Sequence, residues 1–158
     1  MKNLSAEKLL ARRDLTSFTS ASVFGALPET AIQWLLERGE IRAMEEGESL
    51  FAPGEPGNSF HVILQGRVSY HKFHQGRYAF IRDYHRGEQI GFMSLIALHD
   101  RVGRAECHAD TIALEIDSTQ FHAFHNERPL EFGILMLNLA RAMARSLRPA
   151  DNLLVEKS

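Results

Sequence analysis

The period of the apolar positions changes twice along this chain. Near the start, Ser5 to Arg13 is weakly amphipathic at helical spacing, with Ser5 as its cap. A second helix is predicted over Ala31 to Arg38, where Ile32, Leu35 and Leu36 share a face and Trp34 lies off it. From Ile41 to Asp117 the period drops to two, and Gly, Pro and Asn punctuate short strands. Phe60, Val62 and Leu64 alternate with His61 and Ile63, and Val68, Tyr70 and Lys72 with Ser69, His71 and Phe73. The turn His74-Gln75-Gly76 joins the second run to Tyr78–Asp83 as a hairpin. Helical spacing then returns. Ser118 or Thr119 is expected to cap a short helix carrying Phe121 and Phe124. A longer helix is predicted from Pro129 toward Leu147, ending before Pro149.

This pattern predicts a mainly β protein with flanking helices. Short antiparallel strands in this number point to a β jelly-roll barrel, with N-terminal helices and a long C-terminal helix. The expected organisation is one domain overall. A helical segment occupies residues 1–40, the jelly roll 41–117 and the C-terminal helices 118–158.

One stretch carries candidate chemistry. Gly91 lets backbone approach a ligand closely, and Phe92 to Leu98 are good helix formers. The first-turn N–H groups of that helix attract an anion. Ten residues after Gly91 comes Arg101, a permanent cation with a planar fork of donors suited to phosphate. Together they form a phosphate cradle, with Gly91, Phe92, Met93, Ser94, Arg101 and Val102 as the candidate ligand-binding residues.

Composition narrows the function classes. At 158 residues, 44% hydrophobic and 24% charged, the chain reads as one soluble globular domain. A net charge of −2 gives no general basic field for nucleic acid or membrane. The single Cys107 excludes an internal disulfide, and a buried thiol is expected there. No apolar run approaches the ~20 residues that cross a bilayer, and the polar N-terminus is no secretory signal, so a cytoplasmic protein is expected. The eight histidines are scattered without a metal-ligand spacing and are expected at the solvated surface. No nucleophile motif, paired carboxylate or NTPase phosphate loop points to an enzyme, and no metal or other cofactor is expected.

The ordered glycines resemble those of the cyclic-nucleotide-binding domain family. The phosphate cassette of that family is matched over residues 90–104 by Ile90-Gly91-Phe92-Met93-Ser94-Leu95 and Asp100-Arg101-Val102-Gly103, with the glycine-to-arginine spacing intact. Val23-Phe24-Gly25-Ala26-Leu27-Pro28, the segment Gly47 to Phe60, Gln65-Gly66-Arg67-Val68, and Ala109-Asp110 before Ile112–Ile116 extend the resemblance to most of the chain. It implies a regulatory sensor whose ligand is a cyclic nucleotide, cAMP or cGMP, with phosphate held by Gly91 and Arg101. The family's ribose-binding glutamate falls at Phe92, which cannot accept a hydrogen bond, at a cost of about 1–3 kcal/mol for a buried hydroxyl. Phe92 is expected to fill the ribose position, and Val102 removes a further hydroxyl contact. Arg104 is the fallback arginine, facing the same side if Gly103 carries a bulge.

The resemblance also sets the expected partners. Leu130, Phe132, Ile134, Leu135, Leu137, Leu139, Met143 and Leu147 form an apolar arc wider than one barrel needs, which predicts a homodimer through the long helix. Asn138, Arg141, Arg145 and Arg148 are its expected polar stripe. The nine residues after Pro149 leave no room for a recognition helix, so output is expected through a regulated protein partner and not through direct DNA binding. Two rivals stand beside this reading: a degenerate domain acting as a dimeric interaction scaffold, and a metal-dependent cupin enzyme.

Overall fold

The computed structural model describes residues 2–12 and 21–158. Its elements, in chain order, are β1 (Lys2–Leu4), α1 (Ala6–Arg12), a 3-10 turn (Ser22–Phe24), α2 (Glu29–Arg38), β2 (Glu40–Met44), β3 (Ser49–Phe51), β4 (Ser59–His74), β5 (Arg77–His85), β6 (Gln89–Ile90), α3 (Phe92–Ala97), β7 (Gly103–Asp117), α4 (Ser118–Glu127) and α5 (Pro129–Glu156). Ser5 caps α1 by accepting from the Lys8 N–H. Arg13, where this helix was expected to end, lies outside the described residues. The opening segment is not purely helical: β1 adds an antiparallel edge strand to β2.

The strands form one curled antiparallel sheet in the order β1-β2-β7-β4-β5, with β3 on β7 and β6 on β4. The result is a half-barrel flanked by helices and followed by the long α5. The strands are not all short. β4 and β7 run for 16 and 15 residues, and their register shifts on either side of Gln65. At that irregularity Gly66 takes φ +89, and a Cβ there would lie 2.6 Å from the Thr111 hydroxyl. Glycine thus lets one long strand bend where two short ones were expected.

The alternation in β4 sorts side chains into two cores. Phe60, Val62 and Leu64 pack outward against the helices, with Phe24, Ile32, Leu35, Leu36, Leu135 and Leu139. Ile63 and Val68 point into the curl with Met44, Phe51, Ile90, Ala105 and Cys107. Each fully buried Leu, Ile or Phe contributes about 1.5–3 kcal/mol, so both faces of the sheet are held by the hydrophobic effect. The β4–β5 hairpin closes through Gln75 and Gly76, both at positive φ, the geometry that matches strand twist.

Three helix expectations are corrected. Asp117, not Ser118 or Thr119, caps α4, in a reciprocal capping box with Gln120. α5 does not stop before Pro149 but continues through it to Glu156. Asn138 is not part of a solvated stripe: its amide donates to the Val23 and Gly25 carbonyls at 3.1 and 2.7 Å, fastening α5 to the 3-10 turn. No helix among the described residues is long and apolar enough to cross a membrane.

Candidate ligand site at the Gly91 turn

Gly91 ends β6 and begins α3 at φ +95, a left-handed conformation that costs other residues about 1–2 kcal/mol. Its missing side chain is occupied space. A Cβ there would sit 2.6 Å from Arg101 Nη1 and 3.3 Å from the Phe51 ring. Arg101 is 3% exposed. Its Nη1 donates to the Gly91 carbonyl at 2.9 Å, and its Nη2 to the Ser59 carbonyl and hydroxyl at 2.6 and 2.9 Å. The guanidinium lies 4.2 Å above the Phe51 ring centroid. Burial lowers its pKa, opposed by the charges of Glu115 and Glu55. The backbone of Arg101 is pinned too, by N–H···O bonds with Glu55 and Gly54 at 2.8 and 2.9 Å.

A cavity of about 80 Å³ opens beside this turn. Four of the expected residues line it: Gly91, Met93, Ser94 and Val102. Ile90, just before the turn, completes its walls with Phe51, Tyr70 and Tyr84, and these last three were missed, because nothing in sequence spacing brings strands β3, β4 and β5 to the β6–α3 turn. Arg101 lies behind the Gly91 backbone rather than in the lining.

Phe92 does not fill the ribose position. Its ring is 1% exposed and points to the helix-side core, edge-on to Phe60 and Phe121 at 5.5 and 5.9 Å. Its N–H is met by the Gln89 side chain at 3.2 Å. Arg104 is not a fallback, because the β4–β7 pairing runs in register through Gly103. Arg104 faces away, over the Tyr78 ring at 4.9 Å and 3.4 Å from Glu106.

A buried polar cluster extends behind Arg101, and it corrects the expectation of surface histidines. His61 is 2% exposed, with Nε2 3.8 Å from the Glu115 carboxylate. Burial pushes its pKa down to about 4, more than the attraction of Glu115 raises it; Arg101 and Arg42 push it down further. Burial alone would raise Glu115, but His61 and Arg42 hold its pKa below the usual value. Arg42 Nε donates to Glu115, and Arg42 Nη2 to Glu40 at 2.8 Å. The alternation of β4 was the available signal: His61 stands between Phe60 and Val62, in a run buried on both faces. Cys107 is buried as expected, and burial raises its thiol to about 11. Among the described residues no group of His, Cys, Asp and Glu is arranged to hold a metal.

The profile of the cyclic nucleotide-binding domain family matches residues 41–128. A CRP-like cAMP-activated global transcriptional regulator of Mycobacterium tuberculosis is 24% identical over 137 residues, covering 86% of this chain and 59% of the relative. The catabolite activator protein of Thermus thermophilus is 27% identical, with a TM-score of 0.72, over 84% of this chain and 61% of that one. A cyclic nucleotide-binding domain from Methylobacillus flagellatus KT shares the fold at a TM-score of 0.84 and 18% identity, over 99% of this chain and 89% of that one. The chain thus spans about three fifths of the length of the two regulators. With the match extending over more than half of its residues, the chain belongs to the cyclic nucleotide-binding domain family.

Proposed function

We propose that this regulatory domain senses a cyclic nucleotide, cAMP or cGMP, at the cavity beside Gly91 and passes the signal to a protein partner. The observation that carries the reading is the Arg101 guanidinium held directly beneath Gly91, where the cavity opens. A cyclic phosphate seated on the first turn of α3 would compete with the Gly91 carbonyl for Nη1, while Ser59 keeps Nη2 in place. The cassette then tightens. Because Phe92 joins it to Phe121, and Phe121 packs on Phe132 of α5 at 4.8 Å, the shift reaches the long helix. The ligand moves that equilibrium only by its differential affinity for the two states.

Exposed positions on α5 support a homodimer. Leu130, Leu137 and Ala144 recur every seven residues, as do Gly133, Ala140, Leu147 and Leu154, and all are exposed. This interleaved heptad stripe is the pattern of a coiled-coil seam.

Calorimetric titration with cAMP, cGMP and cyclic di-GMP, beside an Arg101→Ala control checked for folding, tests the sensor. Micromolar binding that the control loses by more than tenfold supports it. A second reading is a degenerate domain acting as a dimeric scaffold. Two observations favour it: Phe92 is committed to the core, and the Arg101 terminal nitrogens already have protein acceptors. The absence of heat with all three nucleotides would establish it over the sensor.

A further inference from the structure

Among the described residues β5 is an end strand of the sheet and pairs only with β4. An edge strand turns the N–H and C=O of every second residue away from its sheet. Arg77 to Ile81 are all exposed, so this edge is open beside the hairpin turn. The register shift between Tyr70 and His71 leaves Ile81 without a cross-strand partner and ends the regular run at Phe80.

The two faces of that run differ. Pairing and alternation put His71, Phe73, Tyr78 and Phe80 on the outer face. Phe73 contacts Tyr78 at 4.9 Å and His71 contacts Phe80 at 5.6 Å, yet Tyr78 and Phe80 stay 48% and 58% exposed. Arg67 and Arg104 on this side are already paired, with Asp83 and Glu106. The inner face carries Lys72, Arg77 and Ala79. Among the described residues Lys72 and Arg77 have no carboxylate partner. Lys72 stands directly across from Ala79, whose methyl is too small to screen it from the edge.

We propose that the β5 edge docks an extended segment of a protein partner in which apolar and acidic residues alternate, adding a strand to the sheet. Partner residues opposite Tyr78 and Phe80 share their face and pack on the rings. Those opposite Arg77 and Ala79 share the other face, where carboxylates meet Arg77 and Lys72. Main-chain hydrogen bonds give such a contact its affinity, and the difference between the two faces gives it specificity. A second copy fits less well. Pairing β5 with itself would add another Lys72 and Arg77 to a face that is already basic. None of Arg77 to Phe80 lines the cavity beside Gly91, so this docking does not depend on a nucleotide there.

The test is fluorescence anisotropy with labelled peptides of about eight residues. One alternates valine and glutamate, one alternates valine and lysine, and one has the valines and glutamates of the first in two blocks. The protein is the full chain without nucleotide, beside Lys72→Glu/Arg77→Glu, with circular dichroism to check that the variant folds. Support is binding of the valine–glutamate peptide that the variant weakens by about tenfold, while the variant gains binding of the valine–lysine peptide. Amide hydrogen exchange over Arg77–Phe80 should slow in the complex, since an added strand pairs the outward N–H groups. No binding of the alternating peptide overturns the proposal. Equal binding of the blocked peptide overturns it in favour of unspecific charge attraction. Binding that the variant leaves unchanged, or that leaves exchange over Arg77–Phe80 unchanged, overturns it by placing the contact elsewhere.

Discussion

Arg101 donates to the carbonyl of Gly91, 2.9 Å away, and the same guanidinium occupies the space a side chain at position 91 would need. Glycine and arginine are therefore coupled before any ligand arrives. The glycine supplies both a positive φ and room for the cation, and the cation fixes the turn that begins α3.

Gly91→Ala is accordingly expected to destabilise the domain. The added methyl must take φ +95 and lie 2.6 Å from Nη1 of a side chain held at three other points. The left-handed strain costs about 1–3 kcal/mol. In a domain of this size each kcal/mol lowers Tm by roughly 2–4 °C. Thermal unfolding of the variant checks this, and an unchanged Tm would show that Arg101 swings away at no cost.

Phe92→Glu restores the family's carboxylate in sequence but is expected to fail in structure. The ring it replaces lies between Phe60 and Phe121 in the helix-side core, away from the cavity. A carboxylate there loses packing worth about 3–5 kcal/mol for a large-to-small aromatic change, and its charge has no partner. The expected result is a lower denaturation midpoint with no gain in cyclic-nucleotide affinity. A stable variant that binds cAMP more tightly than wild type would show that position 92 can turn to the cavity.

How far the sequence revealed this site depends on the range of the interactions. The Gly91-to-Arg101 spacing is local, and it located the turn and its cation correctly. The direction of the Phe92 side chain is not local. It follows from Phe60 on β4 and Phe121 on α4 meeting above the cassette, which no spacing within residues 90–104 encodes. Ser59 and Phe51, which hold Arg101, lie 42 and 50 residues upstream and reach it only because the sheet curls. The curl itself was partly legible, since alternation in Phe60–Leu64 marked a strand, although both of its faces proved to be buried. The helix ends failed for physical reasons of their own. Asp117 has Gln120 three residues on to close a reciprocal capping box, which the hydroxyls after it lack, and Pro149 removes one hydrogen bond without ending a helix that continues on either side.

His61 makes stability depend on pH. Its folded pKa is about 4, below the ordinary value of 6.5, because burial disfavours the imidazolium. Between those values the unfolded chain binds more protons at this site than the folded one, so stability rises with pH across the window. The contribution is complete above about pH 6.5 and is lost as pH falls toward 4, each unit being worth about 1.4 kcal/mol. Urea midpoints measured across that range, with His61→Gln beside wild type, check the sign. The variant is expected to be less sensitive to acid, and an equal slope would place the titration elsewhere.

The exposed stripe of α5 gives the prediction with the plainest readout. Leu137 and Leu147 are 51% and 62% exposed, whereas Leu135 and Leu139 on the opposite side are fully buried against the domain. The helix therefore has one apolar face that the fold uses and another that it leaves open. On the proposed dimer, Leu137 and Leu147 occupy heptad positions facing the partner helix, where burying each side chain contributes about 1.5–3 kcal/mol. Leu137→Arg/Leu147→Glu is expected to shift the protein from dimer to monomer by light scattering at tens of micromolar. It should leave the far-ultraviolet circular dichroism of the half-barrel unchanged, since neither side chain enters the cores. A wild-type protein that is already monomeric at that concentration would remove α5 as a self-association surface.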